Sequence, residues 1–433
     1  MYEPDLSNLP ACIEDALQAL SGATSSPPHL PEYERLLALL AGARPRLPAG
    51  YDAALITPVL AQARGLGPYG LPAAVEQPGF LPIADAMHAI LQATCGFSAA
   101  IRPATHALQE VVADLYEGFL SKEERHGLKC PDHLLLPPLV KWGPSSRGPY
   151  TIPIEQMAQS GLGCALVNLP LCNARHGLIS WPSLSHETTG HDILRADNGL
   201  LSELQAAIQA RLGQSAAAGL TTAFLRWFDE VAADILSALN LGPAAGIGFI
   251  GHFRAASLLH TGQPLLRASE PASRSYPPDL VRGFLLVAVV ARLRFAQAAA
   301  WSRALLDDIY RDVRGPLLLA EGALAPEALY AACEVVVDAV IATPLATLGG
   351  LALADLQNWS DHDEAITSEL RAALTSAQPL PAKYAPKFYA AHALAAAVTA
   401  AAAAGASVPP LFEQLQQMLC TMHANNASWP NAA

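Results

Sequence analysis

The chain has 433 residues, 52% of them hydrophobic, and carries a formal net charge of −12 with a pI near 5.5. That length can bury one large core or two to three lobes. The acidic balance and the absence of a Lys/Arg cluster argue against nucleic acid as a partner, and the one dense charge run, Lys122-Glu123-Glu124-Arg125, mixes both signs and reads as a solvated face.

From the N-terminus, MYEPDLSNLPACIEDAL is acidic and has neither a basic n-region nor an apolar h-region, so no secretory signal is expected. Residues 1–133 form a helical zone with amphipathic patterns at Tyr33 to Ala43 and Thr105 to Leu120, separated by Pro/Gly-rich turns such as Gly65 to Gly70. A Pro-rich connector, Leu134 to Pro149, leads into a second zone, residues 134–265. Here Pro149 to Pro153 and Cys164 to Leu169 read as strands, with a third at His176 to Trp181.

The next stretch, Ser185-His186-Glu187-Thr188-Thr189-Gly190-His191-Asp192, carries the chemistry. Two neutral imidazoles and a carboxylate make a three-ligand Zn2+ site with a fourth position open to water, and a Glu beside the first His can take that water's proton. The histidines stand five residues apart, not four. On a regular helix that leaves them about 140° apart. An inserted residue in the form of a π-type turn between Glu187 and His191 restores convergence, and Gly190 is the residue type that best tolerates a distorted backbone.

Thr221 to Asn240 follows as a helix, with Phe224, Phe228, Val231, Ile235 and Leu239 at helical spacing and Gly242-Pro243 as its stop. Glu230 and Asp234 lie one turn apart on it. Glu230 is the expected third ligand, and Asp234 can accept the outer N–H of a ligand histidine. A donor for a developing oxyanion is sought between Gly246 and Arg282, where His252, His260, Tyr276 and Arg282 are candidates; Tyr276 precedes two prolines that stiffen its loop. Asp192 reads equally as a local hydrogen-bonding group.

After Asn240 the pattern is helical to the end, with residues 266–433 as a third zone. Gly283 to Ala291 and Ala391 to Val408 are apolar but read as buried helices, since the first is far shorter than the ~20 residues of a membrane span and the second is mostly Ala. The Ala-rich helices from Pro326 to Ala404 are expected to form the second wall of a cleft, and the terminal NNASWPNAA is expected to fray. Seven cysteines without CxxC spacing (Cys12, Cys95, Cys130, Cys164, Cys172, Cys333, Cys420) point to free thiols in a reducing cytoplasm.

HETTGH followed by DEVAAD resembles the HExxGH and EExxAE/D motif pair of the dipeptidyl peptidase III family and, more broadly, the gluzincins, whose third ligand is a Glu in an ExxxD-type helix. The resemblance runs from the His186 region to Asn240, with Asp229 where that family has Glu and Ala232 where a basic residue is usual. It implies His186, His191 and Glu230 as zinc ligands, Glu187 as general base and Asp234 as the acid behind the ligands. It further favours Tyr276 or His252 as the oxyanion donor. It also implies a gluzincin-like catalytic lobe, with a sheet edge open to an extended peptide, flanked by helical regions.

The expected fold is therefore mainly α with a small β-sheet. The expected function is a zinc-dependent hydrolase, one Zn2+ per chain, acting on a peptide or small amide. Two other readings stay open: a metal-binding protein without hydrolytic activity, and a non-haem iron enzyme using the same two-His, one-carboxylate set.

Overall fold

The computed structural model describes residues 3–22, 29–95, 100–120, 131–132, 136–144, 147–271, 273–386 and 389–430. The Lys122 to Arg125 run, Cys130 and the last three residues lie outside them, as does the side chain of Cys95. The architecture is mainly α-helical with two small sheets. No helix among the described residues is long and apolar enough to cross a membrane.

The first sheet has three strands, Leu139–Gly143, Tyr150–Ile152 and Leu166–Pro170, the last in the middle. Leu166–Pro170 pairs parallel with Leu139–Gly143 and antiparallel with Tyr150–Ile152. Its pleat divides two cores. Val140, Trp142, Val167 and Leu169 face the larger core, whereas Leu139, Ile152 and Leu166 face a smaller one built on Leu36 to Leu91. Both faces are covered, and the second also buries Lys141, which pairs with Asp85 at 2.6 Å, and Asn168.

The strand Leu139–Gly143 falls in the stretch read as a Pro-rich connector. Its outer edge is closed by two glutamine side chains from neighbouring helices. Gln109 accepts from Val140 N at 3.1 Å and donates to Pro138 O, while Gln92 accepts from Trp142 N at 2.6 Å and donates to Trp142 O. Side-chain amides therefore stand in for a missing strand, a contact that no local pattern announces.

Two other local expectations are corrected. His176 to Trp181 is not a strand but irregular chain ending in a short 3-10 turn, Leu178–Ser180. Gly177 takes a left-handed conformation (φ 78°), and Asp15 Oδ2 accepts the amides of Gly177 and Leu178 at 2.8 and 3.1 Å, so these groups need no sheet partner. Gly65 to Gly70 separates two helical segments as the sequence suggests: within Thr57–Val75 the backbone leaves helical geometry at Gly67 (φ 68°, ψ 179°), where Pro68 follows. Helical structure after Asn240 is interrupted by a hairpin, Leu317–Leu319 with Gly322–Leu324.

Residues from Leu9 to Met422, drawn from all three zones, build the larger core. The Ala-rich helix Ala390–Ala402 is buried along its whole length within it. Asp279–Val290, which contains most of the apolar run from Gly283, is likewise fully buried. The described cysteines, Cys12, Cys164, Cys172, Cys333 and Cys420, are free thiols.

Candidate metal centre

A short helix, Ser183–Ser185, runs into a π-turn, His186–Gly190. The amide of His191 donates to His186 O at 3.3 Å, the five-residue bond that defines such a turn. The turn brings His191 back to the face of His186, with the rings edge to face at 4.6 Å between centroids and the two Nε2 atoms 3.0 Å apart. Gly190 has a different reason for being glycine than backbone distortion, since its φ is not positive. The turn rests directly on the next helix, and a Cβ at Gly190 would lie 2.2 Å from Ala233 Cβ.

That next helix is Phe228–Leu241. The sequence pattern runs unbroken from Thr221, but the backbone kinks at Trp227, which is fully buried, and the segment forms two helices, Thr221–Arg226 and Phe228–Leu241. Glu230 stands in the first turn of the second. Its Oε2 lies 3.4 Å from His186 Nε2 and its Oε1 3.6 Å from His191 Nε2.

Zinc bonds of 2.0–2.2 Å in tetrahedral geometry place neighbouring donor atoms about 3.3 Å apart. The imidazole nitrogens are 3.0 Å apart, and each lies 3.4 or 3.6 Å from its own nearer Glu230 oxygen, so His186, His191 and Glu230 are a group that could hold a single small cation. His186 Nδ1 faces the other way and meets Asp234 Oδ1 at 2.9 Å, which fixes the ring and leaves Nε2 for the metal.

Arg282, considered from sequence as an oxyanion donor, is committed elsewhere. Its Nε and Nη2 donate to the two oxygens of Asp234 at 2.7 and 2.6 Å, and Nη1 lies 3.3 Å from Glu230 Oε2. The guanidinium also sits over the rings of Phe253 and Phe249, at 4.7 and 5.4 Å. A buried and a half-buried carboxylate thus share one buried cation, and the bidentate pair with Asp234 is the geometry best able to offset desolvation.

Burial opposes charge on His186. Hydrogen bonds to Asp234 and Glu230, together with their charges, outweigh it and raise the imidazole to about 9. Burial and the neighbouring His186 push His191 down to about 3. Burial also raises Glu230 and Asp234, but His186 and Arg282 hold both below the usual carboxylate range. In Glu187 burial wins, lifting its carboxyl above the ordinary value against His186 and Thr151.

Glu187 points to the same space. Thr151 Oγ lies 2.8 Å from its Oε2 and 3.0 Å from its backbone oxygen. A cavity of about 400 Å3 opens over the cluster, lined by Thr151, Glu187, Phe249, His252, Phe253 and Tyr276 among others. The outer strand Tyr150–Ile152 bounds one side, and the helix Pro243–Thr261 supplies Phe249, His252 and Phe253 on the other.

The second wall is therefore not built by the helices between Pro326 and Ala404, as the sequence suggests; those of the alanine run are consumed by the core. His260 is exposed and outside the cavity lining, whereas Tyr276 stands at its rim, 49% exposed. Asp192 Oδ1 accepts from Ile154 N at 3.0 Å, a bond between segments 38 residues apart. Asp229 is exposed and pairs with Arg195 at 3.4 Å. Thr151, Phe249, Phe253 and the true role of Arg282 escape sequence reading, since each meets the site only through long-range packing.

No protein-family model, curated protein or solved structure matches the chain. The site's own geometry carries the functional argument.

Proposed function

We propose that this protein is a zinc-dependent hydrolase that cleaves peptide bonds. The observation that carries the reading is the convergence of His186 Nε2, His191 Nε2 and the Glu230 carboxylate, whose two oxygens lie one near each imidazole, with Glu187 lining the same cavity. Zinc bound by those three side chains would polarise a carbonyl and lower the pKa of a water toward ~7. Glu187 is the group placed to take a proton from that water and return it to the leaving amine. Its enclosed carboxyl, with raised proton affinity, suits both transfers.

The outer strand Tyr150–Ile152 bounds the cavity on one side, which suits an extended peptide added alongside it. His252 and Tyr276 line the cavity as candidate donors to the carbonyl oxygen. The free thiols support a reducing, cytoplasmic setting.

Digestion of a broad peptide library by the zinc-loaded protein tests the activity, and cleavage within the library is expected. Stoichiometric zinc without cleavage of any member would overturn the peptidase reading in favour of a metal-binding protein. Iron as the metal that restores function would point to the oxygenase alternative.

Zinc loading is expected to expel a proton. Without metal, His186 holds its proton at every pH below about 9, while His191 is neutral above about 3. Metal and proton compete for His186 Nε2, so raising the pH removes the competitor. Zinc affinity should rise about tenfold per pH unit until His186 titrates. Calorimetry at about pH 6 in buffers of different ionisation heat should show roughly one proton released per zinc. Release of none would mean that His186 is not a ligand.

Asp234→Asn keeps the side-chain shape but removes the charge that faces both His186 and Arg282. Chelator competition should show zinc bound roughly 10–100-fold more weakly, with a site that still fills. Wild-type affinity in this variant would deny Asp234 its part.

A further inference from the structure

The ring of His252 is held by a serine that plays no part in metal binding. Ser180 ends the 3-10 turn Leu178–Ser180, and its Oγ lies 2.9 Å from His252 Nδ1. The side chain is 2% exposed. His252 stands on the helix Pro243–Thr261 with Phe249 three residues before it and Phe253 beside it, all lining the cavity that holds Glu187 and the metal cluster. With Nδ1 taken by Ser180, Nε2 is the ring nitrogen left for the cavity.

The direction of the Ser180 bond decides what Nε2 offers. A hydroxyl has one proton to give, and His252 Nδ1 is the partner of Ser180 Oγ. If Nδ1 carried the proton and donated it, the hydroxyl hydrogen would be left buried without that acceptor, which costs a full donor desolvation. If Ser180 donates, both groups are satisfied. Nδ1 is then bare, and a neutral ring must carry its proton on Nε2. Enclosure and the charge of Arg282 hold His252 down to about 4, so the ring is neutral at physiological pH.

We infer that Ser180 is a positioning residue that holds His252 as the neutral Nε2–H tautomer, presenting a fixed N–H donor to an oxygen of the ligand in the cavity. The inference rests on the proposed hydrolytic function for the identity of that oxygen, the carbonyl oxygen on which charge grows. The opposite tautomer would aim a lone pair at it. A donor set in place before reaction needs no reorganisation as the charge develops.

The test uses zinc-loaded full-length protein labelled with 15N in its imidazoles, with the His252 signals assigned by their loss in His252→Gln. Wild type should show a protonated Nε2 and a bare Nδ1 for His252, and Ser180→Ala should show a mixture of tautomers. On any peptide that wild type cleaves, Ser180→Ala should lower kcat about 10–100-fold with KM and zinc content nearly unchanged. Ser180→Thr, which restores the hydroxyl, should recover most of the loss. His252→Gln, which keeps an amide N–H, should retain more activity than His252→Leu, independently of whether threonine fits.

A protonated Nδ1 in wild type, or a tautomer unchanged in Ser180→Ala, would overturn the inference. So would a lost tautomer with full kcat. If wild type cleaves no peptide while Nε2 remains protonated in a Ser180-dependent way, the peptidase reading falls and the fixed donor stands.

Discussion

Replacing His191 by alanine is expected to abolish stoichiometric zinc binding. The site has three protein donors, and removal of one leaves His186 and Glu230, a pair that cannot hold zinc against a competing chelator. The loss should exceed that of Asp234→Asn by orders of magnitude, because in the proposed site Asp234 only orients His186, whereas His191 would itself hold the metal. The side chain of His191 is 20% exposed at the cavity wall, so truncation leaves a gap open to water and the fold should survive. Metal analysis after dialysis measures the outcome, with thermal melting as the folding control and His260→Ala, at an exposed position away from the cavity, as the reference. Full zinc occupancy in His191→Ala would show that the ligand assignment is wrong.

The second large effect is expected in Glu187→Gln. Glutamine preserves the shape of the side chain and an oxygen for the Thr151 hydroxyl, but it cannot accept a proton. Hydrolysis should therefore fall by about 10²–10⁴-fold while zinc content stays near wild type, since Glu187 is not among the three converging donors. Single-turnover assays with metal analysis of the same sample separate the two quantities. Full activity would remove Glu187 from the reaction. Loss of zinc together with activity would make it a ligand, with Glu230 the residue to re-examine.

Much of the candidate metal centre was legible in local spacing. The five-residue interval between His186 and His191 is incompatible with convergence on a regular helix, and the chain forms the π-turn that this conflict requires. Glu230 and Asp234 one turn apart define a near and a far carboxylate, and the ring nitrogens of His186 that they meet order them that way, Glu230 at Nε2 and Asp234 at Nδ1. The same logic of spacing failed where local pattern was overruled. His176 to Trp181 looks like a strand, but Asp15 takes its amides; Leu139–Gly143 looks like a connector, but Gln92 and Gln109 close its edge.

By itself the sequence determined the helical class with a small sheet, the π-turn, and the near and far carboxylates, because each depends on residues within a few turns of one another. Tertiary structure alone decided the rest. Arg282 lies 48 residues beyond Asp234, yet it pairs with both Asp234 and Glu230, contacts that no local pattern announces. Ser180 lies 72 residues before His252 and sets the direction of its ring. Gly190 is glycine because a helix from a later segment leaves no space for a Cβ. Local pattern speaks through periodicity, which reaches about one helical turn, whereas charge pairing and close contact act across whatever the folded chain brings within a few ångströms.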